Sequence, residues 1–233
     1  MASPSTHTGL HEAVQIQTAR GPIVGALDLP DHALGVVVFA HGSGSSRHSP
    51  RNRAVADSLQ SRGLGTLLID LLTSREERVD AITAEHRFNI PLLAERLAVA
   101  AEWLADVPEA QRLPVGYFGA STGAAAALVA AARQPLVSAI VSRGGRPDLA
   151  AEALQEVRAA TLLIVGGRDR QVLQWNRAAL AQLRQAAEKE LVVVPGATHL
   201  FEETGALEEV ARLAGKWFVR HFEQDAASRL RSP

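Results

Sequence analysis

The chain has no cysteine. That one absence excludes disulfides, zinc sites of the thiolate kind and a cysteine nucleophile. It also fits a reducing compartment such as the cytoplasm. An excess of charge of either sign is missing as well. The formal net charge is -1, so neither nucleic acid nor an anionic membrane is expected as a partner. Met1 to His11 is polar and has no apolar stretch of the kind a signal peptide carries. The longest apolar run, ended by Arg133, is too short to cross a bilayer. No carboxylate forms a convincing ligand pattern with the eight histidines, so no metal and no cofactor is expected. Internal repeats and Pro/Gly/Ser-rich linkers are absent too. Residues 1–233 therefore read as one domain, monomeric or homodimeric, with 1–11 and 225–233 as frayed tails.

What is present is ordinary for a globular protein: 47% hydrophobic and 21% charged residues in a chain of 233. Val14 to Gln17 and Ile23 to Leu29 alternate around Arg20-Gly21-Pro22, which predicts an antiparallel hairpin with one buried face. Gly35 to Ala40 is continuously apolar, as in a strand covered on both faces. Strands are expected again at Gly65–Asp70, Pro114–Phe118, Val137–Val141, Thr161–Val165 and Glu190–Val194. Helices are expected at Arg51–Arg62, Leu92–Ala105, Ala124–Arg133, Gln171–Gln185 and Leu207–Phe222. Leu71 to Asn89 is charged and irregular, and reads as a lid or binding loop. The alternation from Gly35 onward predicts an α/β fold, a mostly parallel sheet with helices on both faces.

The chemistry is read from the residues just past each strand, because function gathers at the carboxyl ends of parallel strands. After the Pro114 strand comes Gly119-Ala120-Ser121-Thr122-Gly123. A serine between glycines, at a strand-to-helix turn, is the nucleophile-elbow pattern, although the same residues could be a plain Gly/Ser turn. Asp169 comes after the Thr161 strand and His199 after the last one. Ser, Asp and His in that order suit acyl transfer. The imidazole can take the hydroxyl proton and return it to the leaving group, while the carboxylate fixes the tautomer. Asp169 could instead cap the next helix, His199 could be a surface residue, and Asp70 is a rival acid. The oxyanion donors would be the backbone N–H groups of Thr122 and of Ser43, the latter in His41-Gly42-Ser43-Gly44-Ser45-Ser46. That loop lacks the Gly-Lys-[Ser/Thr] ending of a phosphate cradle. His41 reads as a residue that orients the loop. Gly44, His86, Arg143 and Arg146 are candidate substrate contacts. His86 and the arginines could meet an acidic substrate or be solvated surface charges.

These motifs, with Gly166-Gly167-Arg168-Asp169 and Gly196-Ala197-Thr198-His199-Leu200-Phe201, make Gly35 to Phe222 resemble the α/β-hydrolase superfamily and its dienelactone-hydrolase-like group. The resemblance implies Ser121, Asp169 and His199 as a triad, with Ser43 and Thr122 as oxyanion donors. The namesake enzymes use a cysteine nucleophile, so the resemblance points here to a serine esterase acting on small carboxylic esters. Thioesterase, acyltransferase and lactonase chemistry share the machinery, and a non-catalytic ligand-binding module shares the fold.

Overall fold

The computed structural model describes residues 9–231, with side chains through residue 229. Strands β1 (Leu10–Ile16) and β2 (Ile23–Leu29) form the expected hairpin, with Leu10 opposite Leu29 and Ile16 opposite Ile23. The alternation of β2 places every second side chain in the interior. Strands β3 (Val36–Ala40), β4 (Gly65–Ile69), β5 (Val115–Ala120), β6 (Val137–Arg143), β7 (Ala160–Gly166) and β8 (Lys189–Val194) complete one sheet. Its order is β1-β2-β4-β3-β5-β6-β7-β8. Pairing is antiparallel from β1 through β2 to β4 and parallel across the rest.

Successive side chains of a strand point to opposite faces, so the apolar runs supply two cores. Val36, Val38 and Ala40 of β3 enter one, and Val37 and Phe39 enter the other. Helices α3 (Ile90–Trp103) and α4 (Thr122–Arg133) cover the first face, and α1 (Pro50–Gln60) and α6 (Ala206–Arg231) cover the second. Helix α5 (Arg170–Gln182) lies beyond β7. A 3-10 stretch that the sequence reading lacked, Pro147–Glu156, precedes β7 and breaks at Ala151 (φ 45°). Among the described residues no helix is long and apolar enough to cross a membrane.

The structure changes three expectations. Residues 10 and 11 are not frayed, because they pair with β2. Residues 225–231 continue α6, and the guanidinium of Arg229 ties that end to Asp225 and to the carbonyl of Arg112. The residues of both tails that lie beyond 9–231 fall outside the described region. The third change is the largest. Residues 71–89 are not an irregular loop but carry a helix, α2 (Ser74–Thr83). Its start is a capping box. The Thr73 hydroxyl accepts from the Glu76 N–H, and the Glu76 carboxylate accepts from the Thr73 N–H. Its inward face is acidic rather than apolar. Glu76 meets the fully buried Arg96 of α3, whose other terminal nitrogen donates to the Thr18 hydroxyl. Asp80 accepts from the N–H groups of His86 and Arg87 and from the Arg87 guanidinium. Burial pushes both carboxyls up, but hydrogen bonds outweigh it and hold each below its ordinary value: those of Thr73 and Arg96 for Glu76, those of Arg87 and His86 for Asp80.

Candidate functional site

Strand β5 ends at Ala120 and α4 starts at Thr122, so a single residue turns the chain. That residue, Ser121, sits at φ 51°, ψ -118°. Such a backbone costs a non-glycine residue on the order of 1–3 kcal/mol and must be held by its surroundings. Here the Ser121 N–H donates to the Arg143 carbonyl, and the Ser121 carbonyl accepts from the N–H groups of Ala124 and Arg146. Two glycines make the turn sterically possible. A Cβ at Gly119 would lie 2.4 Å from Ala124 Cα, and one at Gly123 would lie 2.3 Å from the Ala40 oxygen. The side chain of Ser121 makes no capping bond to α4, and the residue is partly exposed.

Asp169 and His199 follow the ends of β7 and β8, on the far side of β6 from β5. Asp169 directly precedes α5 but its side chain does not cap it. The carboxylate instead accepts from His199 Nδ1 at 2.6 Å, which leaves His199 Nε2 as the basic nitrogen. Asp169 is well covered and His199 about 39% exposed. His199 and Ser121 line one pocket of about 260 Å³, together with Gly42, Ser43, Ser49, Arg51, Asn52 and Arg143. The rival acid Asp70 is engaged elsewhere, accepting from the backbone and guanidinium of Arg47.

The loop after β3 departs from the expectation in one respect. The Ser43 N–H is not free, but donates to the Thr122 hydroxyl at 2.9 Å. Ser43 itself is exposed, whereas Thr122 is 2% exposed, so the bond ties the loop to the buried start of α4. The backbone N–H of Thr122 itself begins α4 and so has no intrahelical acceptor. His41 holds the base of the loop. The Leu71 N–H donates to its Nε2 (3.1 Å), so its Nδ1 carries the proton and donates to the Gly42 carbonyl (2.9 Å). Burial pulls the His41 imidazole below its ordinary value, and its bond to Gly42 and the charges of Asp70 and Glu77 offset only part of that pull.

The unfolded chain protonates this histidine below about pH 6.5, where the folded chain does not. Stability from its neutral burial is therefore complete above that pH and declines as pH falls below it. His221 is also lowered, by burial and by Arg220, and has the same sign. Between pH 7.5 and 5.5 the melting temperature of the wild type is expected to fall more steeply than that of His41→Gln. Parallel curves in thermal melts would refute this.

Among the candidate substrate contacts the structure brings only Arg143 to the Ser121 pocket. The Arg146 guanidinium is clamped by Asp148 (2.7 Å) and stacked 4.2 Å over Trp175, so only its backbone touches the elbow. His86 pairs with Glu85 and Gly44 lines a smaller cavity of about 30 Å³ beneath α2. Neither reaches the Ser121 pocket. The sequence reading missed Arg51 and Asn52. The signal was available: Ser49-Pro50 marks the start of α1 directly after the β3 loop, which puts the first turn of that helix at the carboxyl edge.

Comparison with known proteins agrees with this architecture. The profile of the dienelactone hydrolase family matches residues 23–224. The crystal structure of a dienelactone hydrolase from Anabaena variabilis ATCC 29413 superposes with a TM-score of 0.89 at 56% identity, over 92% of this chain and 99% of that one. The Pyrococcus furiosus esterase Pf2001 has a TM-score of 0.74 at 17% identity, covering 95% and 97% of the two chains, which is a likeness of fold alone. Two Mycobacterium tuberculosis proteins, from strains CDC 1551 and H37Rv and provisionally named phosphoribosyl transferases, are each 57% identical over 211 residues. Those residues are 90% of this chain and 46% of each relative, so the chain spans about half their length. With its eight-stranded sheet and a family match from the second strand into the last helix, the chain belongs to the dienelactone hydrolase family.

Proposed function

We propose that the protein is a serine hydrolase of small carboxylic esters, working through an acyl-enzyme on Ser121. The observation that carries this is the 2.6 Å bond between Asp169 and His199, opening on the same pocket as the strained Ser121. His199 Nε2 accepts the hydroxyl proton as Ser121 Oγ bonds to the ester carbonyl carbon. The tetrahedral oxyanion collapses, the alcohol leaves with the proton that His199 returns, and water repeats the sequence to free the acid. Asp169 keeps Nδ1 protonated and stabilises the imidazolium.

The oxyanion would face the N–H groups of Thr122 and Ser43. A charged oxygen is a stronger acceptor than a hydroxyl, so it would draw the Ser43 N–H from the Thr122 hydroxyl as charge develops. Thioester, lactone and acyl-transfer substrates would use the same steps, with pocket shape choosing among them. The transferase name of the two longer relatives belongs to proteins of which this chain matches less than half. The paired Asp169 and His199 favour acyl chemistry for this half.

The test is p-nitrophenyl acetate turnover, wild type beside Ser121→Ala, with mass spectrometry after a fluorophosphonate probe. Turnover and an adduct on Ser121 are expected, with the rate in the variant reduced by at least about a thousandfold. An unmodified Ser121 with equal rates in both proteins would make the pocket a binding site only.

A further inference from the structure

The pocket beside Ser121 has a cationic wall on which one of two arginines, Arg143, has no ion pair among the described residues. Two arginines line it, Arg51 from the first turn of α1 and Arg143 from the end of β6. None of the residues lining the pocket is acidic. The Arg51 Nη1 donates to Glu202 at 3.0 Å, a pair in which Glu202 is mostly exposed. Arg143 is 8% exposed and has no ion pair among the described residues, and its Nη2 donates to the Asn52 side chain at 3.3 Å. That leaves Arg143 Nη1 and Arg51 Nε both covered from solvent and without a partner.

An unpaired buried donor is expensive, and an unpaired buried charge more so. Burial, and then the neighbouring charge of Arg51, lower Arg143 to about 10, so it is still a cation at neutral pH. Two like charges are thus held together beside a proposed nucleophile. The start of α1 adds its dipole at the same wall, a setting suited to anions, although Pro50 has no N–H and the Asn52 N–H is taken by the Ser49 hydroxyl. The donors are those of the two arginines, with the dipole of α1 behind them. Two guanidinium forks from different elements match the three terminal oxygens of a phosphate monoester better than the two coplanar oxygens of a carboxylate, and a dianion better offsets two guanidinium charges.

We infer that Arg51 and Arg143 form a subsite for a phosphate monoester carried by the non-reacting part of the ester. The hydrolytic part of this statement rests on the function proposed above, whereas the binding part does not. The phosphate makes no bond in the reaction. It anchors the substrate while the carboxylic ester lies over Ser121.

The experiment has two arms. In the first, inorganic phosphate is titrated calorimetrically into wild type, Ser121→Ala, Arg51→Met, Arg143→Met and Arg143→Lys, with acetate as the carboxylate control. Phosphate is expected to bind wild type and Ser121→Ala alike, at least tenfold more weakly to each arginine variant, and at least tenfold more tightly than acetate. Arg143→Lys keeps the charge but loses the fork, so it remains decisive if Arg143→Met does not fold. No binding, equal binding by the variants, or acetate matching phosphate overturns the subsite. In the second arm, acetyl glycerol phosphate is compared with acetyl glycerol. Wild type is expected to favour the phosphorylated ester at least tenfold in kcat/KM, and Arg143→Lys to lose most of that preference. Phosphate binding without an ester preference overturns the substrate assignment. Failure to hydrolyse any ester, with phosphate still bound, overturns the hydrolase reading and leaves the subsite standing.

Discussion

Replacing Asp169 with Asn is expected to lower kcat on p-nitrophenyl acetate by about four orders of magnitude while leaving the melting temperature nearly unchanged. The magnitude comes from tautomer control. An Asn side chain is close in shape but can present its N–H₂ to Nδ1. The imidazole then carries its proton on Nε2 and cannot take one from serine, and the same change in a well-studied serine protease costs about 10⁴. The structural silence comes from what Asp169 does not do. It precedes α5 without capping it, and its only side-chain bond among those described is to His199. Substitutions that break no cap, core contact or buried network usually stay within about 0.5 kcal/mol. A loss of less than tenfold would remove Asp169 from the proposed machinery. A rate loss matched by a collapse in melting temperature would recast it as structural.

Gly123→Ala is expected to cost more than about 3 kcal/mol, since the added carbon meets main chain rather than a flexible side chain. The new Cβ would stand 2.3 Å from the Ala40 oxygen and 2.5 Å from the His41 oxygen. For a chain of this size that corresponds to a fall in melting temperature on the order of 10 °C. The clash sits between the end of β3 and the start of α4, so relief requires moving the elbow away from the His41–Ser46 loop. Activity should therefore fall even in the fraction that stays folded. Calorimetry with turnover per folded molecule measures both. A variant melting within about 2 °C of wild type, with full activity, would show that the two segments are not locked together.

Much of this was legible from residue order because the responsible forces are local or periodic. The runs at Val36–Ala40 and Ala160–Gly166 are apolar on both faces, which only a doubly covered strand requires. Ser121, Asp169 and His199 each come after a strand, so parallel pairing alone carries them to one edge. Helix α2 escaped because the usual signal is reversed. Its buried positions are Glu76 and Asp80, while Ile82 on the same helix is 88% exposed. Hydrophobic periodicity cannot find a helix whose inward face is made of carboxylates matched to arginines beyond its end. The Thr73…Glu76 capping box was the readable clue. The substrate contacts were read less well, because spacing shows which arginines lie near a strand end but not which already have partners. Arg146 is consumed by Asp148 and Trp175, whereas Arg51 lies in the first turn of a helix that Ser49-Pro50 opens, a start signal that spacing from strand ends passes over.

The reversed helix also bears on how quickly the pocket is ready for substrate. Glu77 and Asp80 of α2 border the cavity behind Ser43 and Gly44, so the wall beneath that loop is fastened through Glu76 to Arg96. Lifting α2 would strip a fully buried guanidinium of its carboxylate, and breaking one side of such a pair typically costs about 3–5 kcal/mol. At that cost the raised position is occupied by fewer than about one molecule in a hundred. The segment between β4 and α3 is therefore a buttress rather than a door. On the proposed reading, substrate would meet a site already assembled, and selection among substrates would fall to the fixed charges along its wall.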